Sequence, residues 1–199
     1  MNPDGANEWS RLWEAKGGLS KGDRPKLWDQ NYLHQMYYKF FPWPFYKICA
    51  GANSMIPRAV LNDIGYFSTD LVGNSHIDGL TLEIGYRVAT HGYMLAYEPS
   101  AMLLHSHPVT REEIYKKLYF YGRQDTAYSM HIAVTYHDYR YFWWAIIGHP
   151  LYTLKKCILS LLGYYPLPLK MVLSGLAGNL SGWPIYLFHR IVEKNGPAS

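Results

Sequence analysis

Gly79-Leu80-Thr81-Leu82-Glu83-Ile84-Gly85-Tyr86-Arg87-Val88-Ala89-Thr90-His91, followed by Gly92-Tyr93-Met94-Leu95-Ala96-Tyr97-Glu98-Pro99, is the stretch on which the fold reading turns. Leu80, Ile84 and Val88 recur every fourth residue with Leu82 beside them, which predicts a helix over 79–91, and Gly92 supplies its stop. Tyr93 to Tyr97 and Ala101 to Leu104 are short apolar runs, and Glu98-Pro99-Ser100 between them reads as a turn joining two strands.

Working outward toward the N-terminus, Pro57 suits the first position of a short helix over Arg58 to Asp63, which Gly65 would end in a left-handed cap. Ile48 to Ser54 reads as a buried strand before it. Toward the C-terminus, Thr110 and Glu113 form a capping box ahead of Ile114, Leu118 and Tyr121. This alternation of strands and helices predicts an α/β unit over residues 48–137. Residues 1–47 form a lead segment, polar and Gly-rich at first. Its aromatic run Tyr37 to Tyr46, interrupted by Pro42 and Pro44, predicts extended or looping chain.

Composition narrows the possible partners. The 199 residues suffice for one compact domain, or a small domain with an appendage. A 17% aromatic content, with nineteen tyrosines, favours surfaces where apolar and wet surroundings meet. Met1 to His107 carries nine Lys/Arg and ten Asp/Glu, whereas Pro108 to Ser199 carries ten and five, so the positive charge is C-terminal. Those basic residues are too sparse and too embedded in apolar sequence for a phosphate-tracking stripe, which argues against a nucleic-acid partner. Cys49 and Cys157 suit neither a disulfide framework nor a zinc site and read as reduced, packed thiols. The polar first thirty residues show no signal peptide, which places any active face in the cytosol.

The composition changes beyond Asp138. Tyr139 to Val192 contains no Asp or Glu in fifty-four residues, but it holds Arg140, Lys155, Lys156, Lys170 and Arg190. The charges leave uncharged runs of fourteen, thirteen and nineteen residues. The first two are shorter than the roughly 20 residues a bilayer span needs. They suit helices lying in a membrane interface, with Trp143, Trp144, Tyr164 and Tyr165 at headgroup level and lysines on anionic phosphates. The third, Met171 to His189, has the length of a span but contains Asn179 and Pro184. Its Ser174, Gly178 and Gly182, four residues apart, form a small-residue ridge that admits another helix closely. Residues 138–199 therefore read as a membrane-associating helical region, with an ordinary buried hairpin as the alternative.

Several residues could carry chemistry. Asp78 stands where a helix would begin and is either an N-terminal cap or a general base. Gly51 and Asn53 combine a close backbone approach with an amide able to bind sugar hydroxyls, though a tight turn explains them equally well. His105 and His107, two apart after a predicted strand, point the same way and could reach one ion. Arg111 and Arg123, with Lys116 and Lys117, could hold a phosphate or form a solvated basic face.

Taken in order, Gly51-Ala52-Asn53-Ser54-Met55, Asp63-Ile64-Gly65-Tyr66-Phe67, Asp78, Glu83-Ile84-Gly85-Tyr86-Arg87, His91-Gly92-Tyr93, Tyr97-Glu98-Pro99, His105-Ser106-His107 and Tyr121-Gly122-Arg123 resemble the acceptor-side half of a family 2 glycosyltransferase. The resemblance spans about residues 48 to 133. It implies the C-terminal half of a GT-A-like mixed sheet with flanking helices, followed by apolar C-terminal helices. It also implies transfer of a sugar from a nucleotide-sugar donor to an acceptor hydroxyl with inversion, the acceptor being lipid-linked or an envelope polysaccharide at the cytosolic face of a membrane.

In that family a Glu-Asp pair opens the helix and its Asp is the base. An ungapped count back from Arg87 puts that pair at Leu80-Thr81. Asp78 is then the preferred base and Glu83 the runner-up. The resemblance further implies Mg or Mn on the donor diphosphate, with His105 or His107 as a partial ligand. No Asp-x-Asp occurs in the sequence and fifty residues precede Gly51, which implies a separate donor-binding half. A non-catalytic membrane-bound remnant or subunit, and a small metal-dependent hydrolase, are the alternatives.

Overall fold

The computed structural model describes residues 7–15, 22–39, 53–68, 80–103 and 107–195. They form two compact units, one built from the described residues between 22 and 103 and the other from 7–15 and 107–195.

In the first unit, strand β1 (Lys26–Trp28) leads to a helix over Gln30–Lys39, a short helix α3 (Arg58–Ile64), helix α4 (Leu80–Thr90) and strand β2 (Leu95–Tyr97). The helix over Gln30–Lys39 is α2, since α1 (Glu8–Ala15) belongs to the other unit. Gly65 and Gly92 follow α3 and α4 at φ +89° and +81°, conformations that favour glycine, and both helices stop there; Gly65, at ψ 159°, is not the left-handed cap the sequence predicts. Ile64, Ile84 and Val88 form the unit's core, with Ile56, Val60, Leu61, Tyr93 and Leu95 against it.

The predicted α/β architecture, half of a GT-A-like mixed sheet, does not form. Among the described residues the only sheet is the antiparallel pair of β1 and β2, with Leu27 opposite Ala96, and the remaining regular structure is helical. The local reason lies after β2. Ser100 N and Oγ donate to Glu98 Oε1 at 3.0 and 2.7 Å, while the amides of Ala101 and Met102 donate to the carbonyls of Glu98 and Ser100. Those amides are thereby taken up by the turn, and residues 101–103 form no second strand. Of the aromatic run, Tyr37 and Tyr38 belong to α2 rather than to extended chain, and residues 40–46 lie outside the described residues. Of the predicted strand Ile48 to Ser54, residues 48–52 lie outside the described residues, and Asn53 and Ser54 are not in a strand.

The second unit is helical. Helix α5 (Arg111–Thr135) is followed by α6 (Tyr139–Trp143), a π-helical turn (Trp144–Gly148), α7 (His149–Leu161) and α8 (Leu169–Asn195). The capping box that starts α5 is present: Glu113 N donates to Thr110 Oγ1 at 3.2 Å, and Thr110 N donates back to Glu113 Oε2 at 3.3 Å. Ile114, Leu118, Cys157, Leu167, Met171 and Val172 are buried together, with Trp9, Leu12 and Trp13 of α1 packed on them.

The small-residue ridge has its partner within the chain. Ser174 Oγ donates to the Tyr115 carbonyl at 2.9 Å, a Cβ on Gly178 would collide with the Tyr119 carbonyl, and one on Gly182 would lie 2.7 Å from that of Arg123. Contacts that advance by four residues on both helices mean that α5 and α8 run parallel, with their backbones nearly touching. Buried Asn179 ties in α7: with its amide oriented to satisfy both groups, Nδ2 donates to the Gly122 and Gly175 carbonyls at 2.9 and 3.2 Å, while Oδ1 accepts from Thr153 Oγ1 at 3.2 Å. Among the described residues no helix is long and apolar enough to cross a membrane, and the run Met171 to His189 packs on α5 through this ridge.

Candidate functional site

Arg87 organises the part of the first unit that carries the motif series. Its guanidinium lies 2.7 and 2.8 Å from the two carboxylate oxygens of Glu83, one turn earlier on α4. The same group donates to the backbone carbonyls of Ile64 (2.6 Å), Gly65 (2.8 Å) and Tyr66 (2.8 Å). Glu83 is 0% and Arg87 5% exposed, so the pair is enclosed by protein. A planar fork of five donors is the side chain able to meet a carboxylate and a row of carbonyls together. The segment Asp63 to Phe67 is in this way fastened to the helix carrying Glu83 to Arg87. Tyr93 reinforces it, its hydroxyl donating to Asp63 Oδ2 at 2.7 Å, a bond that raises the phenol above its ordinary value.

Asp78, Gly51 and His105 lie outside the described residues. Asp78 precedes the first residue of α4 by two positions in the sequence. Glu83 is placed as a buried anchor for Arg87. Asn53 is exposed, with its Nδ2 donating to the Ala101 carbonyl at 2.5 Å. This bond links the first motif of the series to the segment after Tyr97-Glu98-Pro99.

His107 belongs to the other unit, where with Pro108, Glu113, Lys116 and Lys117 it lines a shallow cavity of about 320 Å³. Among the described residues there is no group of three or more His, Cys, Asp or Glu able to hold a metal. Arg111 and Arg123 stand twelve residues apart on α5, about 18 Å along its axis, and do not converge on one phosphate. Each lies over a ring, Arg111 over Tyr115 at 5.5 Å and Arg123 over Phe120 at 5.2 Å.

Two features escaped the sequence reading. The i,i+4 spacing of Glu83 and Arg87 is the signature of a helical ion pair and could have revealed the anchor. The other is His149, buried on α7 and stacked on Trp144 with centroids 5.7 Å apart at 11°. Burial, with a smaller contribution from Lys156, pushes its imidazole down to about 4. The Asp125 carboxylate, 3.7 Å away and half exposed, lies beyond hydrogen-bond reach and offsets little of this. No signal in the sequence marks this histidine as buried.

Compared with known protein families, curated proteins and solved structures, the chain matches none.

Proposed function

We propose that the chain works on the acceptor side of a sugar-transfer reaction at the cytosolic face of a membrane, together with a separate donor-binding half. An acceptor hydroxyl, on a lipid-linked glycan or envelope polysaccharide, loses its proton to the Asp78 carboxylate as its oxygen attacks the anomeric carbon of a nucleotide sugar. The bond from that carbon to the nucleoside diphosphate breaks on the opposite face, and the diphosphate leaves with the electron pair, which inverts the centre.

The observation that supports this reading is the Arg87 network. The motif segments Asp63 to Phe67 and Glu83 to Arg87, separate in sequence, are joined by hydrogen bonds from Arg87, in the last turn of α4, to the carbonyls of Ile64, Gly65 and Tyr66. A divalent metal, Mg or Mn, would neutralise the leaving diphosphate from the donor side. The sequence has no Asp-x-Asp, and the described residues offer no ligand cluster for such an ion.

The test combines the full chain, membranes and a candidate donor-binding polypeptide with labelled nucleotide sugars, and reads nucleoside diphosphate release and labelled glycan. Asp78→Asn should lower turnover by about 10²- to 10⁴-fold while circular dichroism stays unchanged. Full turnover in that variant removes Asp78 as the base, and no consumption of any nucleotide sugar removes the reaction. A non-catalytic subunit is the second reading, favoured by Leu80 and Thr81, which occupy the expected acid pair's positions on α4. It predicts that the donor-binding polypeptide turns over equally well without this chain.

A further inference from the structure

Among the described residues, no other element covers the outward side of α6, the π-helical turn and α7. Tyr141, Ala145, His149, Thr153 and Cys157, every fourth residue, face inward and are buried. On the opposite side Trp143, Ile147, Leu151, Leu154, Ile158 and Leu161 recur at spacings of four or three and are exposed, the last four by 58, 49, 51 and 69%. This stretch is therefore apolar on both faces, whereas a surface helix in water turns a polar face outward. The stripe ends in a tip whose Leu162 and Tyr164 are 61 and 79% exposed.

The charge around the stripe identifies what covers it. Lys155 is exposed beside the apolar row on α7, four residues after Leu151 and three before Ile158, and no acid occurs from Tyr139 to Val192. A second copy of the chain would bring Lys155 against its own counterpart, with no carboxylate in that stretch to balance it. Anionic phosphates beside hydrocarbon balance both the charge and the apolar row. We propose that α6–α7 lies in the plane of an anionic phospholipid bilayer. Leu151, Leu154, Ile158 and Leu161 enter the acyl boundary, the Leu162–Tyr164 tip leads, and Lys155 rests on a headgroup phosphate. This deepens the membrane part of the proposed function, rests on it, and is independent of sugar transfer.

Flotation of the full chain with phosphatidylcholine vesicles, with and without about one third phosphatidylglycerol, tests the surface without any nucleotide sugar. The wild type should float with the anionic vesicles and far less with the neutral ones. The triple variant Leu154→Ser, Ile158→Ser, Leu161→Ser should lose about tenfold or more in partitioning. Lys155→Gln should weaken the preference for anionic lipid. All these side chains lie outside the core, so unchanged circular dichroism and melting temperature verify that the variants fold. Wild-type flotation in the triple variant overturns the assigned surface while leaving membrane attachment standing. A wild type that floats with neither vesicle overturns both. A wild-type dimer that the triple variant dissociates, without flotation of either, makes the stripe a self-interface and overturns the bilayer.

Discussion

Helix α4 of the first unit is buried around a charge, whereas α5 and α8 of the second are buried against one another's backbone. Residues Glu83 to Val88 are all enclosed, and the ion pair among them serves three loop carbonyls as well as itself. In the second unit Gly122, Gly178 and Gly182 remove side chains from the crossing, and one amide, Asn179, satisfies the carbonyls this exposes. A short helix packed on irregular loops needs a long, many-donored side chain to reach their carbonyls. Two long helices satisfy their own backbones and gain by approaching closely. The first arrangement is therefore vulnerable to losing a group, the second to gaining one.

The largest expected effect follows from removing the donor. Arg87→Ala leaves Glu83 as a buried, uncompensated charge and three carbonyls without their donor, and should destabilise the first unit by about 3–5 kcal/mol in urea unfolding. Replacing both partners by apolar residues, Glu83→Leu with Arg87→Met, should recover much of that loss. If the double variant is as unstable as the single one, the loop carbonyls outweigh the pair, and α4 is held by its loops rather than by its charge.

The second unit also holds a charge-sensitive group, but one that stays neutral. The folded value of about 4 for His149 lies below its ordinary 6.5, so between those values the unfolded chain binds more protons than the folded one. Stability contributed by this group is complete above about pH 6.5 and falls as the pH drops toward 4, by about 3 kcal/mol in all. The difference between wild type and His149→Phe across that window isolates the effect from the carboxylates. Parallel pH profiles for the two proteins would show that the Trp144 stack tolerates imidazolium and that burial there is not penalised.

Local signals in the sequence proved legible where they depend on neighbours along the chain. The cap at Thr110, the helix stops at Gly65 and Gly92, the helix around Leu80, Ile84 and Val88, and the close-approach ridge of α8 are all where their spacing puts them. Pairing was not legible. The partner of β2 is Lys26–Trp28, drawn from a polar segment with no alternating pattern, and the Ala101 run fails to pair because a turn captures its amides. The α/β expectation failed for this reason, since three-residue strands depend on partners that no local pattern identifies. At the candidate site the motif order was readable, and Arg87 shows why two of those motifs occur together. Glu83 was read for its carboxylate alone, and the residue four positions on determines what that carboxylate does.

The smallest effects discriminate best between the two modes of packing, because two glycines three residues apart on α8 should respond with opposite signs. Alanine in a helix interior is ordinarily about 1 kcal/mol more stable than glycine. At Gly175 an added Cβ would meet the Leu118 carbonyl oxygen at 3.7 Å, an ordinary contact, so Gly175→Ala should gain about 0.5 kcal/mol. At Gly178 the same methyl would fall on the Tyr119 carbonyl, and α5 must move away, which outweighs the propensity gain and should leave a net loss of about 2 kcal/mol. Thermal melts of the two variants measure this directly. Gains at both positions would mean that α5 and α8 are not held backbone to backbone, and that the small-residue ridge serves some contact other than the one within the chain.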